Sequence, residues 1–145
     1  MAALDQEKVI RFLAEIEDAR QVLSEITSGD ANEFLRDPIK IRAMKYTLIV
    51  MVEVICNLCR HVLAKRAHTV VEEYMEAILK MQEKGMLSDE LVNQLIPLIK
   101  LRHQLIHGYW KTDDRRLFTE TKSGLETINK FMEEINYNLQ KNQTP

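Results

Sequence analysis

The sequence predicts an all-α protein, an antiparallel up-and-down bundle of four to five helices. Three observations carry that expectation. Apolar residues recur at three- and four-residue steps along most of the chain, the period of one helix face. Only 4 glycines and 3 prolines occur in 145 residues, too few for the many turns of a β-sandwich. The length suits one ordinary domain, and 46% hydrophobic with 29% charged residues is a balance that buries a core.

The elements follow in order. Val9, Phe12, Leu13, Ile16, Ala19, Leu23 and Ile26 form the first stripe, and Ser28-Gly29-Asp30 supplies its stop. Ala31 to Asp37 is short, with room for a turn of helix. Pro38 suits the first turn of the next helix, where its missing N–H costs nothing. The stripe Ile41, Met44, Leu48, Met51, Val52, Ile55, Leu58, Cys59 and Val62 covers a wide arc, which places that helix centrally. Thr69 and Glu72 have the spacing of a capping box and predict a third helix starting there. Val71, Tyr74, Met75, Ile78 and Leu79 would be its buried face, with Gly85 at its end. Ser88 or Asp89 opens a fourth helix carrying Leu91, Leu95, Leu98, Ile99 and Leu105; Pro97 predicts a kink or a fresh start, and Gly108 a stop. Asp113 or Asp114 caps the last helix, with Leu117, Thr121, Leu125, Ile128, Phe131, Met132, Ile135 and Leu139 on one side. Nothing reads as a linker or repeat, so one domain is expected over residues 1–139, followed by a flexible tail at 140–145.

Charge and cysteine usage narrow the function. The net charge of −2 argues against a surface that binds phosphate everywhere, so any nucleic-acid site must be a local basic patch. Asp5 and Glu7 lead into no apolar core, so no signal peptide is expected. The unbroken apolar run Leu48 to Val52 ends at Glu53, short of the ~20 residues of a membrane span. The expected location is the cytoplasm. Cys56 and Cys59 form a CxxC on one helical stretch without a second ligand pair, and read better as two small core residues than as a redox or metal pair.

One stretch concentrates chemistry. Leu101 to Trp110 holds Arg102, His103, His107, Tyr109 and the only tryptophan. From Lys100 to Arg116, five basic residues stand against Asp113 and Asp114, a local positive excess on an acidic chain. Three readings are open. The residues can simply be solvated at a helix end. His103 and His107, at i and i+4, can hold a zinc ion, although no third ligand is visible. Or Arg102 neutralises a phosphate while His107 transfers protons. Five residues on an ideal helix separate Arg102 from His107 by about 140°. A joint site then needs either a loosened turn before Gly108 or a second subunit.

Arg102-His103-Gln104-Leu105-Ile106-His107-Gly108-Tyr109 resembles the R-x4-H-x-Y signature of HepT-like toxins, ribonucleases of the HEPN superfamily. The resemblance extends from about Tyr46 to Ile135, including Tyr74 through Gly85-Met86-Leu87 to Leu91 and the acidic cap at Asp113. Members often carry an acidic residue in the second long helix, where this chain has Glu53. Asn57 and His61, one turn apart, would face a cleft or form a polar seam.

The resemblance implies a homodimer whose two R-x4-H motifs share a groove, and cleavage of RNA without metal or cofactor. Arg102 and His107 would be catalytic, and His103 would bind or orient the substrate. It implies the toxin of a type II or type VII-like toxin–antitoxin module, with a minimal nucleotidyltransferase as partner and no membrane. That partner would silence the toxin by adenylylating Tyr109, placing bulk and negative charge where RNA phosphate must bind. The alternative is a non-catalytic nucleotide- or substrate-binding subunit of such a nucleotidyltransferase.

Overall fold

The computed structural model of the chain describes residues 4–108 and 113–141. They form six helices: α1 (Gln6–Thr27), α2 (Ala31–Leu35), α3 (Pro38–Arg66), α4 (Tyr74–Glu83), α5 (Asp89–His107) and α6 (Asp114–Lys141). No strand occurs among the described residues.

Local chemistry sets most boundaries. Asp5 accepts from Lys8 N–H to open α1, and Asp37 accepts from Ile39 and Lys40 ahead of α3, with Pro38 in the first turn. Ser88 Oγ accepts from Leu91 N–H to open α5, and Asp113 Oδ1 accepts from Arg116 N–H to open α6. Each such cap is worth about 1 kcal/mol. Gly85, at φ +71°, closes α4 with Met86 N–H donating back to Met81 and its own N–H to Gln82. That double bond pattern is a Schellman motif.

Three expectations change. Thr69 does not open α4, which begins at Tyr74 after Glu73. His68 adopts φ +49°, and Thr69 N–H turns back to Leu63 carbonyl, so Thr69 closes α3 instead. Leu79, read as inward, is 43% exposed, and Ala77, Ile78 and Met81 form the buried face of α4. Pro97 lies inside one uninterrupted helix rather than starting a new one. Its ring costs α5 a single interior hydrogen bond, which the flanking buried Leu95, Leu98 and Ile99 offset.

The long helices form a closed ring of neighbours: α1 packs on α3, α3 on α5, α5 on α6, and α6 on α1. Their directions are legible from side-chain pairs. Ser88, Glu90 and Gln94 on α5 meet Glu134, Lys130 and Thr127 on α6, so those two run antiparallel. Lys45 meets Asp114, and Arg66 meets Leu139 carbonyl, so α3 and α6 run parallel across the bundle. The topology is up-and-down, with α2 and α4 as short flanking helices.

Helix α3 is the central element, with twelve of its residues buried. An 18-residue window of it reaches a mean hydropathy of 1.7, apolar enough for a membrane span, which the short unbroken run Leu48–Val52 did not suggest. Here 61% of that window is buried against the other helices. Cys56 and Cys59 are free and buried within it, and burial pushes the Cys56 thiol up to about 12. They fill space in the core as small apolar side chains.

Candidate active site

Arg102, four residues beyond the buried Leu98 on α5, turns toward the centre of the bundle. Its Nη2 donates to Glu53 Oε1 on α3 at 2.7 Å. Its guanidinium lies over the ring of Tyr74, the first residue of α4, at 4.5 Å. A carboxylate and an aromatic face from two other helices therefore fix one cation. The carboxylate supplies a charge-assisted bond and the ring a cation–π contact. Arg102 Nε–H is buried and has no hydrogen-bond partner among the described residues. The helical spacing of Tyr74 places it on the apolar face of α4, and nothing in that spacing reveals the stacking. Glu53 was legible as an acid on the right helix, and the structure supplies its partner.

His103 and His107 lie one turn apart and exposed on α5, with ring centroids 4.1 Å apart and planes at 49°. The helix stays regular through His107 and stops at Gly108, where φ is +64°. The turn before Gly108 does not loosen. On this unbroken helix Arg102 and His107 diverge by about 140°, one facing α3 and α4 and the other outward. Tyr109, with the residues through 112, lies outside the described residues.

Beside Arg102, a cleft of about 630 Å³ opens between α4 and α5, bordered by Tyr74, Met75, Ile99, Lys100, His103 and Gln104. The basic excess expected around it is partly spent elsewhere. Arg116 pairs with Glu120 on α6. Lys100 and Arg102 remain its cations, with Glu72 and Glu73 opposite.

Asn57 and His61 do not join this cleft. Asn57 Oδ1 accepts from Arg60 at 3.4 Å, and His61 Nε2 accepts the backbone N–H of Asp5 at 3.3 Å. His61 thus ties the start of α1 to α3. Burial, then Lys8 and Lys65, holds its pKa below the usual 6.5. The unfolded chain therefore binds this proton first. The resulting loss of stability should be absent above about pH 6.5 and grow as pH falls below it. Urea unfolding at pH 8 and pH 5.5 checks this, and His61→Gln should reduce the difference.

Residues 12–135 match the family described as Ribonuclease HepT-like. No curated protein matches the chain in sequence. Among solved structures, the cytosolic protein of unknown function YutE from Bacillus subtilis superposes with a TM-score of 0.84 at 16% identity, over 100% of this chain and 97% of that one. The tri-AMPylated HEPN toxin of Shewanella oneidensis, in complex with an MNT antitoxin, gives 0.82 at 15%, over 90% and 97%. A chain of a toxin–antitoxin complex with AMP-PNP gives 0.80 at 15%, over 88% and 97%. At such identities the structures share the fold, an all-α helical bundle. The family match covers most of the chain and includes the R-x4-H segment: the protein belongs to the HepT-like ribonuclease family.

Proposed function

We propose that this protein is the cytoplasmic toxin of a toxin–antitoxin module, of type II or type VII-like organisation, and a metal-independent endoribonuclease. The observation that carries the reading is Arg102, held from two sides by Glu53 and Tyr74 at the edge of an open cleft. A cation so fixed at the edge of a cleft is preorganised for a phosphate.

In the proposed step, His107 takes the proton of a ribose 2′-OH as that oxygen attacks the adjacent phosphorus. Arg102 stabilises the added negative charge of the phosphorane. The P–O5′ bond then breaks, the departing 5′-oxygen takes a proton from a solvent water, the His107 imidazolium returns its own proton to solvent, and a 2′,3′-cyclic phosphate remains. His103, stacked near His107, orients the imidazole or the substrate. The need for a 2′-OH would exclude DNA.

Because Arg102 and His107 diverge on α5, the proposed centre pairs Arg102 of one subunit with His107 of a second copy. The surface supports such a dimer. Tyr46, 70% exposed, shares an α3 face with Glu53 seven residues on, and Ile106, 44% exposed, lies one turn beyond Arg102. Since α5 runs against α3, the step from Arg102 to Ile106 follows the direction from Glu53 back to Tyr46. Exposed apolar side chains on both sides of a site suit a subunit contact.

The partner is a minimal nucleotidyltransferase antitoxin that adenylylates Tyr109. The tri-AMPylated Shewanella toxin in complex with its MNT antitoxin supports such a partner and such a modification, and the R-x4-H-x-Y spacing points to Tyr109 as the acceptor. The test is cleavage of a 5′-labelled RNA in EDTA. Unimpaired cleavage to cyclic-phosphate ends is expected; loss on chelation, restored by zinc, would return the His103/His107 pair to a metal-ligand role. Failure to cut any RNA would favour the non-catalytic companion of a nucleotidyltransferase.

A further inference from the structure

A second cationic hollow lies on the far side of Asn57 from the Arg102 cleft. It encloses about 390 Å³ between the start of α1, the second half of α3 and the segment before α4. Lys8, Phe12, Asn57, Arg60, Val70 and Val71 border it. Lys65 contributes further positive charge, since it and Lys8 both oppose protonation of His61. The lining of the hollow holds Lys8 and Arg60 and no carboxylate, on a chain of net charge −2.

Arg60 is built into place. Its Nε donates to Val71 carbonyl at 3.0 Å and its Nη1 to Asn57 Oδ1 at 3.4 Å. Neither partner is a carboxylate, so its charge is not neutralised there. Apolar surface accompanies the charge: Lys8 Nζ sits 5.8 Å from the Phe12 ring centroid, and Val70 is 85% exposed. Cations beside an uncovered apolar face are what single-stranded RNA requires, phosphate on one and base on the other.

The hollow also lines up with the catalytic cleft. Glu53, Asn57 and Arg60 stand at i, i+4 and i+7 on α3, one face of the helix. The guanidiniums of Arg102 and Arg60 both act on the buried thiol of Cys56. Seven residues of helix carry Glu53 to Arg60 over about 10 Å. A few nucleotides of extended RNA cover that span.

We infer that the Lys8–Arg60 hollow is an RNA exosite, binding the phosphate backbone and a base of the strand that runs on from the cleavage site. The inference rests on the ribonuclease reading for its ligand, and binding can be tested apart from cleavage. Fluorescence anisotropy with catalytically silenced His107→Ala protein would measure two labelled RNAs. One is a trinucleotide, the other a strand of about 12 nucleotides, a length typical of single-strand grooves.

Adding Lys8→Gln should weaken binding of the longer strand roughly fivefold and lower the slope of log affinity against log salt by about 0.7, one phosphate contact. The trinucleotide should bind as before. Arg60→Gln should do the same and Arg60→Lys recover most of the loss. Lys122→Gln, on the exposed face of α6, should change nothing. Circular dichroism separates these effects from unfolding. Equal affinities of the parent and Lys8→Gln for the longer strand would overturn the exosite, as would equal losses on both lengths. Cleavage by the unmutated protein then reports separately on the ribonuclease reading: RNA cut normally with no role for Lys8 removes only the exosite. Lys8-dependent binding without cleavage removes only the nuclease.

Discussion

Arg102→Ala and His107→Ala are each expected to abolish detectable RNA cleavage and growth arrest while leaving the bundle folded. Removing a general acid–base group costs about 10²–10⁴ in rate, and removing a donor to transition-state charge about 10²–10³. The two variants differ in what they do to the fold. His107 is exposed, so its loss should leave the melting temperature nearly unchanged. Arg102→Ala strips Glu53 of its partner and Tyr74 of its cation, so a small loss of stability should accompany inactivity. Glu53 offers the intermediate case. Glu53→Gln keeps an acceptor for Arg102 and should retain much of the activity, whereas Glu53→Ala should lose most of it by freeing the guanidinium to wander. Rates on one labelled RNA, read beside thermal unfolding of the same preparations, check the whole series. Full activity in Arg102→Ala would leave the site without its electrostatic element.

Tyr109→Phe is expected to have the opposite outward effect, a toxin that its antitoxin no longer silences. Gly108 at φ +64° ends α5 directly after His107, so the proposed acceptor phenol is the next residue after the catalytic turn. Adenylate on a residue two positions along the chain from His107 would add negative charge that competes with RNA phosphate for the proposed cationic site. Coexpression with the cognate nucleotidyltransferase should add one or more adenylyl groups to the parent protein, mapping to Tyr109, and none there in the phenylalanine variant. The variant should cleave RNA at close to the parent rate and arrest growth beside the antitoxin. Equal neutralisation of both proteins would mean that inhibition is by binding alone.

The sequence discloses the fold through repetition and hides the site for the same reason. Stripes such as Val9 to Ile26 and Ile41 to Val62 repeat one physical demand many times, so a single misleading residue hardly matters, and both are buried as expected apart from partly exposed Phe12, Leu13 and Ile41. Boundaries rest on single residues and fare unevenly. Ser88 caps as expected, but Thr69 is diverted by the left-handed His68 behind it. Pro97 breaks no helix because tertiary burial outweighs one lost hydrogen bond. Within the site, Arg102, His103 and His107 are close in sequence and were visible as a cluster. The partners of Arg102 were harder to see, since Glu53 lies 49 residues away and Tyr74 follows the apolar period of α4. Only the packing of three helices identifies them. His61, open to either a cleft or a polar seam from its spacing, accepts from Asp5, a contact across 56 residues that no local pattern encodes.

The central claim is that Arg102 and His107 work together across two subunits, because an unbroken α5 points them apart. Mixed dimers test it. Arg102→Ala and His107→Ala subunits, differently tagged and coexpressed, would be purified through both tags and assayed on the same RNA. A composite centre leaves each mixed dimer one intact site, built from Arg102 of one subunit and His107 of the other. About half the activity of the parent dimer is therefore expected, although each parental variant alone is inactive. A mixed dimer as inactive as its parents would contradict the account, since it would place both groups of each centre within a single chain.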